Sequence, residues 1–405
     1  MSMSETSCDI AIVGGGIIGL ATALALSERV PRLRLAVLEK ESRLAAHQSS
    51  HNSGVIHAGI YYTPGSYKAC LCVEGVKLML TFCDMYGIQY ERCGKVIVAT
   101  SPEELPRLAQ LYKRGVANGV AGLERIGPER VREIEPHANA LAAIYSPATG
   151  IIDFGKVSMT MASVLRGRGA AILTGARVGR IVSANGGVVL ETASGTVRAR
   201  ALINCAGLYA DRVARLMGVR TDVRIIPFRG EYYNLVPDRR HLVRGLIYPA
   251  PDPAFPFLGV HFTRTIHGGV EAGPNAVLAF AREGYTYRHI RLGEVAGMVA
   301  YPGLWRMAAR YWRMGLYEVY RSLSRSAFVR ALQRLVPEIS PADLEPGGAG
   351  VRAQAVEKDG TLVDDFRIVE TPKAIHVLNA PSPAATASLA IGRHIADLAV
   401  RTLIS

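Results

Sequence analysis

At 405 residues, with 49% hydrophobic and 20% charged side chains, the chain can bury a large core over two or three domains and is too apolar to be disordered. No uninterrupted apolar run reaches the ~18 residues of a spanning helix, and strand pattern starts near residue 8, which leaves no room for a signal or transit segment; a cytoplasmic protein is expected. The net charge of +13 is concentrated, because residues 282–334 hold ten arginines against Glu283, Glu294 and Glu318.

Residues 10–13 form a short apolar run that breaks into Gly14-Gly15-Gly16-Ile17-Ile18-Gly19 and continues as Leu20-Ala21-Thr22-Ala23-Leu24-Ala25-Leu26. The pattern reads strand, glycine turn, helix. Gly14 permits the tight turn, Gly16 lets backbone approach a pyrophosphate, and Gly19 lets helix and strand pack closely. The N–H groups of Ile17 and Ile18 and the positive end of the helix then face phosphate. A second strand over 33–38 ends at Glu39, 20 residues beyond Gly19, with Lys40 next to it. A carboxylate there accepts both ribose hydroxyls and repels a ribose 2′-phosphate. An adenine dinucleotide is the expected ligand.

Beyond residue 60 the spacing predicts a helix over 71–86, a strand over 95–100, and a helix over 102–118 after Ser101-Pro102-Glu103-Glu104. Alternating strand patterns return over 145–215 and end in Ala201-Leu202-Ile203-Asn204-Cys205-Ala206-Gly207. An apolar strand that stops at glycine fits close approach to the dinucleotide from a neighbouring strand, through Ala206 and Gly207. Strand-like stretches at 232–236, 257–262 and 277–280 precede the basic segment. Beyond 345 the chain is rich in Gly, Ala and Pro, and it closes with a helix over about 385–402.

The fold class predicted is α/β, with an α+β substrate part. A Rossmann-like cofactor domain is assembled from discontinuous segments (1–80, 145–215 and 341–405), with an inserted antiparallel-sheet substrate domain (81–144 and 216–340). Six cysteines show no CxxC pair and no ligand spacing, so neither disulfides nor a metal site are expected.

Several segments carry a family. They are IVGGGIIGLA at 12–21, HQSSHNSGVIHAGIYY at 47–62, PFRG at 227–230, FPFLGVHFT at 255–263, GPNAVLAF at 273–280, GVRAQ at 350–354 and NAPSPAAT at 379–386. On these the chain resembles, from end to end, the FAD-dependent D-amino-acid-oxidase-like oxidoreductases, and within them the L-2-hydroxyglutarate dehydrogenases (oxidases). Ser50 and Ala58 stand where Gly and Ser are expected in the animal members.

The resemblance implies non-covalent FAD and oxidation of L-2-hydroxyglutarate to 2-oxoglutarate. Glu39 would bind the adenosine ribose and Val178 the adenine through its backbone. Ser50, Asn52 and Ser53 would line flavin and pyrophosphate, and Gly207 would pass beside the cofactor. Pro383, Ala384, Ala385 and Thr386 would put a helix N-terminus under the isoalloxazine, where a positive dipole end stabilises reduced flavin.

Oxidising a 2-hydroxy acid needs a base for the hydroxyl proton, and a histidine suits because its unperturbed pKa is about 6.5. His57, after the first βαβ unit, and His261, in an alternating strand, are the two candidates. Two carboxylates need cations. Arg229 and Arg352 lie in glycine-bounded segments that bring a planar guanidinium onto a carboxylate, with a structural salt bridge as the alternative for either. Tyr61, Tyr62 and Asn275 would add neutral hydrogen bonds.

Within about 285–335, Arg306, Arg310 and Arg313 share a helix face beside Trp305 and Trp312. That suits peripheral contact with an anionic membrane, where electrons would pass to quinone, with oxygen as the other acceptor; an ordinary packed helix is the alternative, and nucleic acid is not expected. Rival functions are a flavin oxidase of an amino acid or glycerol phosphate, a non-catalytic flavin-carrying anchoring subunit, and an NAD dehydrogenase. The last is disfavoured by cofactor segments that reach the C-terminus.

Overall fold

The structure, a computed structural model, describes residues 4–184, 186–252 and 259–404. Two large sheets organise it. In the first, parallel strands Ala171–Leu173, Leu35–Leu38, Ser4–Val13, Gly195–Asn204 and Ala374–Asn379 lie side by side. Val178–Ala184 and Gly187–Thr192 extend it as antiparallel strands beside Gly195–Asn204, and Arg367–Thr371 pairs antiparallel with Ala374–Asn379. Strands drawn from both ends and the middle of the chain therefore meet in one sheet.

Helix Ile17–Arg29 packs on this sheet. Its Leu and Ala residues favour helix and leave Leu20, Ala21, Ala23, Leu24, Ala25 and Leu26 buried. Helices Tyr67–Tyr86, Phe154–Gly167 and Ser388–Ala399 join the same core through Met79, Met161, Leu165, Ile391 and Ile395.

The second sheet is mostly antiparallel. Its longest pairing joins Val223–Leu235 to Leu344–Glu357, from Val223 opposite Glu357 to Leu235 opposite Leu344. Strand Lys95–Ala99 is buried throughout, between Leu246–Pro249 and Ala142–Ser146. A small third sheet, Val55–Ile56, Gly150–Ile152 and Tyr90–Glu91, lies beside the His47–Tyr62 segment.

Several elements differ from the sequence reading. Leu344–Glu357, assigned to the cofactor part, belongs to the second sheet. Its Gly-rich composition hides a strand whose glycines serve close approach: a β-carbon on Gly350 would lie 2.7 Å from the His51 carbonyl oxygen. The stretch at 232–236 is the end of a strand of 13 residues beginning at Val223. The helix expected from 71 begins at Tyr67, because Ser66 caps it by accepting the Ala69 N–H at 3.2 Å. The closing helix begins at Ser388, so 383–387 form an irregular turn ahead of it. Part of the strand expected at 257–262, with Phe255 to Leu258 of its motif, lies outside the described residues; the described strand is His261–Arg264.

Among the described residues no helix is long and apolar enough to cross a membrane. Helix Pro302–Leu323, broken at Tyr311, buries Leu304 and Met307 and leaves Trp305, Trp312, Leu316 and Leu323 exposed.

Candidate active site

A cleft of about 850 Å³ runs between the two sheets. At one end lies the glycine turn. Gly14 has φ +115°, and a β-carbon there would sit 2.3 Å from the Cys205 carbonyl oxygen; one on Gly19 would sit 2.0 Å from that of Gly14. Only glycine lets the turn, the helix and the strand leading to Ala206 converge so closely. Gly14, Gly16, Ile17, Ile18, Glu39, Lys40, Val178, Ala206 and Gly207 all border the cleft. Gly19 does not, in keeping with a packing role.

The Glu39 carboxylate accepts the Gly15 and Glu41 backbone N–H groups, each at 2.9 Å, which fixes it at the end of the second strand. Among the described residues one cluster has metal-ligand character, Glu41, His47 and Glu283. The Lys40 ammonium hydrogen-bonds to all three, so a cation already occupies their centre.

Asn52 and Ser53 border the cleft, and the Asn52 amide ties its own loop together through Gln48 O, Ser49 O and the Gly54 N–H. Ser50 is placed differently from the expectation: it is exposed and lies against Gly155, outside the cleft. Its neighbour Ser49 is buried and accepts the Ile17 N–H at 2.8 Å, at the start of the helix. Adjacent serines in one turn face opposite ways, so no sequence rule separates them.

Pro383, Ala384, Ala385 and Thr386 border the far end of the cleft. The Thr386 hydroxyl accepts the His57 N–H at 3.1 Å and donates to Val55 O at 3.2 Å, tying this turn to the His47–Tyr62 segment. The turn does not itself begin a regular helix, which weakens the simple picture of a helix dipole under the flavin.

His57 borders the cleft, and its Nδ1 is buried without a hydrogen-bond partner. Burial first, then the nearby Lys95 and His261, hold its pKa well below the ordinary histidine range. His261 lies behind the cleft wall. Its Nδ1–H donates to Gly259 O at 2.8 Å and its ring stacks on Tyr248 at 3.8 Å. Burial pushes its pKa down to about 3, helped by Lys95 and Arg352. Tyr61 and Tyr62 also stand behind the wall; the Tyr61 hydroxyl is buried without a partner, and that of Tyr62 bonds Ser382.

Arg352 projects into the cleft, accessible yet deep in the molecule. Arg229 and Asn275 border the cleft as well, but a carboxylate already engages both. Paired residues in an antiparallel ladder share a face, and Phe228 pairs with Arg352 while Arg229 pairs with Val351. The two arginines therefore leave opposite faces. Arg229 donates from Nε to Glu231 Oε1 at 3.0 Å, places Nη2 2.9 Å from the same oxygen, and covers the Tyr287 ring at 3.8 Å. The Nη2 contact is an ion pair by distance only, since its N–H is not aligned for a hydrogen bond. Asn275 is held by the same carboxylate: its Oδ1 accepts the Glu231 N–H at 2.8 Å and its Nδ2 donates to Glu231 Oε2 at 2.7 Å. The structural salt bridge is what Arg229 makes. Sequence reading missed Glu231, two residues along the same strand face, and Lys95, whose signal was a charge heading an apolar run.

The cleft suits FAD: the glycine turn, the helix start and Glu39 border it, Val178 lies in its lining, and His57, Arg352 and the 383–386 turn complete it. Residues 9–398 match the model of the family described as FAD dependent oxidoreductase. The L-2-hydroxyglutarate dehydrogenase of Indibacter alkaliphilus is 48% identical over 393 residues, covering 97% of this chain and 98% of its own. That of Escherichia coli (strain K12) is 47% identical over 398 residues, covering 98% and 94%. The human mitochondrial enzyme of the same name is 46% identical over 413 residues, covering 98% and 89%. In fold the chain is similar to the L-alpha-glycerophosphate oxidase of Mycoplasma pneumoniae with FAD bound, with TM-score 0.78 and 24% identity, covering 98% of this chain and 95% of that one. A cleft shaped for this dinucleotide and a family match over nearly its whole length agree: the chain belongs to the FAD-dependent oxidoreductase family.

Proposed function

We propose that this chain oxidises L-2-hydroxyglutarate to 2-oxoglutarate with bound FAD. The observation that carries the reading is one continuous cleft whose lining holds both a dinucleotide cradle and, from other segments, His57 with its unpartnered imidazole nitrogen and Arg352. The dehydrogenase relatives, similar over nearly their full length, supply the substrate. The chemistry FAD supplies when bound is acceptance of the hydride from C2. His57 takes the hydroxyl proton at Nδ1, and its lowered pKa keeps it in the base form at neutral pH. Arg352 binds a carboxylate. His261, stacked behind, buttresses the chamber.

The test is anaerobic. Yellow protein should bleach near the flavin band with L-2-hydroxyglutarate and not with the D enantiomer; no bleaching with the L enantiomer sinks the reading.

For domain organisation, the cofactor part comprises 1–80, most of 145–215 and the chain beyond 357, with the second sheet forming the substrate part. For the electron acceptor, we favour quinone at an anionic membrane surface. Support comes from the exposed Ile290, Leu292, Val299, Trp305, Trp312, Leu316 and Leu323 beside Arg306, Arg310 and Arg313. Such docking is peripheral, on the inner face of the cytoplasmic membrane.

A further inference from the structure

A dianionic substrate presents two carboxylates, and of the two arginines expected to meet them Arg229 is already engaged by Glu231. Arg352 serves one end, so another group on the cleft lining has to serve the other. The strand that carries Arg229 supplies it, at Tyr232.

The Tyr232 phenol belongs to the cleft. Phe228, Gly230 and Tyr232 alternate along one face of their strand, the face on which Arg352 stands opposite Phe228, and all four residues border the cleft. Glu231 and Tyr233, on the other face, do not border it; the Tyr233 ring packs on Phe328 at 4.9 Å, in the core of the second sheet. The ladder also slips at this point. Glu231 stands opposite Ala349 and Tyr233 opposite Pro346, which leaves Tyr232 without a paired residue. Such a slip re-aims a side chain and is frequent beside active sites. Two glycines keep room for it: a β-carbon on Gly273, at φ +143°, would lie 3.2 Å from Tyr232 Cδ1, and one on Gly347 2.8 Å from the Tyr232 carbonyl oxygen.

Among the described residues the Tyr232 hydroxyl has no hydrogen-bond partner, and unlike that of Tyr61 it is not sealed from open space. Burial of the ring raises its pKa above the ordinary tyrosine range, with Glu271 adding to the effect and Arg352 opposing it. The phenol therefore keeps its proton at neutral pH and donates. Along the ladder Tyr232 stands four residues from the pair of Phe228 and Arg352, about 13 Å between backbones. Two long side chains reaching inwards from such positions hold one small dianion by its two ends.

We propose that the Tyr232 hydroxyl donates a hydrogen bond to the substrate carboxylate that Arg352 does not bind, which makes Tyr232 the residue that selects a dicarboxylate over a monocarboxylate. The assignment rests on the dicarboxylate reading above. An O–H donor to a carboxylate makes a short, charge-assisted bond, and it does so without adding a second buried cation to the site.

The experiment uses FAD-loaded protein with glutarate and valerate, five-carbon acids with two carboxylates and one, neither bearing a hydroxyl to oxidise. Binding is read by perturbation of the flavin spectrum. Tyr232→Phe removes one oxygen and should leave the protein yellow. It should bind glutarate about 10-fold or more weakly, the scale of a lost hydrogen bond to a charged group, and bind valerate within threefold of wild type. Its limiting rate of flavin reduction by L-2-hydroxyglutarate should also stay within threefold. Arg352→Met should weaken both acids. A Tyr232→Phe dissociation constant for glutarate within threefold of wild type overturns the proposal, and so does an equal loss for glutarate and valerate. Wild-type protein that L-2-hydroxyglutarate does not bleach indicts the functional reading instead; bleaching with unchanged glutarate binding by Tyr232→Phe indicts only this assignment.

Discussion

Arg229 and Arg352 stand one register step apart on paired antiparallel strands, so their side chains leave opposite faces of the ladder. One guanidinium is locked to Glu231, and the other projects into the cleft. Removing them should have different consequences. Arg352→Met should weaken substrate binding by about 2–5 kcal/mol, since it removes a charge that meets the ligand. Arg229→Met should chiefly lower Tm, because it strands Glu231, and adding Glu231→Gln should recover part of the loss. Tm and KM for the three proteins check this; a KM loss confined to Arg229→Met would reverse the assignment.

Gly19→Ala tests the cradle. Its methyl would meet the Gly14 carbonyl oxygen at 2.0 Å, a backbone atom that has no rotamer to move. The helix must shift, at a cost of about 1–3 kcal/mol or more, and the phosphate-facing turn shifts with it. The purified variant should show a low ratio of flavin to protein absorbance. A fully yellow Gly19→Ala protein would mean that this contact does not position the cofactor.

His57→Ala should keep FAD and slow anaerobic flavin reduction by about 10²–10⁴-fold, the usual scale for loss of a general base. Because burial keeps His57 neutral well below its ordinary range, the wild-type reduction rate should hold its plateau below pH 6.5. Stopped-flow traces from pH 5 to 8 decide. A break at the ordinary histidine pKa would show that the imidazole is solvated in a way this structure excludes.

Acid should destabilise the fold through His261. Its folded pKa is about 3 against 6.5 for the free side chain, so the unfolded chain binds more protons between those values. The stabilisation is complete above pH 6.5 and is lost as pH falls toward 3. Tm should therefore drop between pH 6.5 and 4, more shallowly in His261→Gln. Identical slopes would refute the linkage.

The helix Pro302–Leu323 should carry any membrane affinity. Trp305→Gln with Trp312→Gln and Leu316→Gln, all exposed positions, should abolish co-sedimentation with anionic vesicles at low salt without changing Tm. Wild-type protein that stays in the supernatant at low salt would end the docking idea.

Local signals in the sequence carried the glycine turn, Glu39 and the first helix, because strand, turn and helix there are neighbours along the chain. Pairings across long separations were hidden. Leu344–Glu357 begins with two glycines and a proline within its first five residues, so composition argued for a loop, and only its partner at 223–235 makes it a strand. Face and partner were equally invisible: Ser49 and Ser50 read alike, and Arg229 looked as available as Arg352 until its register met Glu231. Lys95 was read as the first residue of a strand; its burial depends on Tyr61 and Tyr248, remote in sequence.

The contact of Gly350 with the His51 carbonyl is a seam with no slack, since even a methyl group has no room there. Two residues on, the same strand presents Arg352. Whatever holds the His47–Tyr62 loop against the dinucleotide thereby also sets the aim of that guanidinium, so the nucleotide is a keystone as well as a reagent. Stripped of it, the protein should lose its grip on dicarboxylates before it loses its shape.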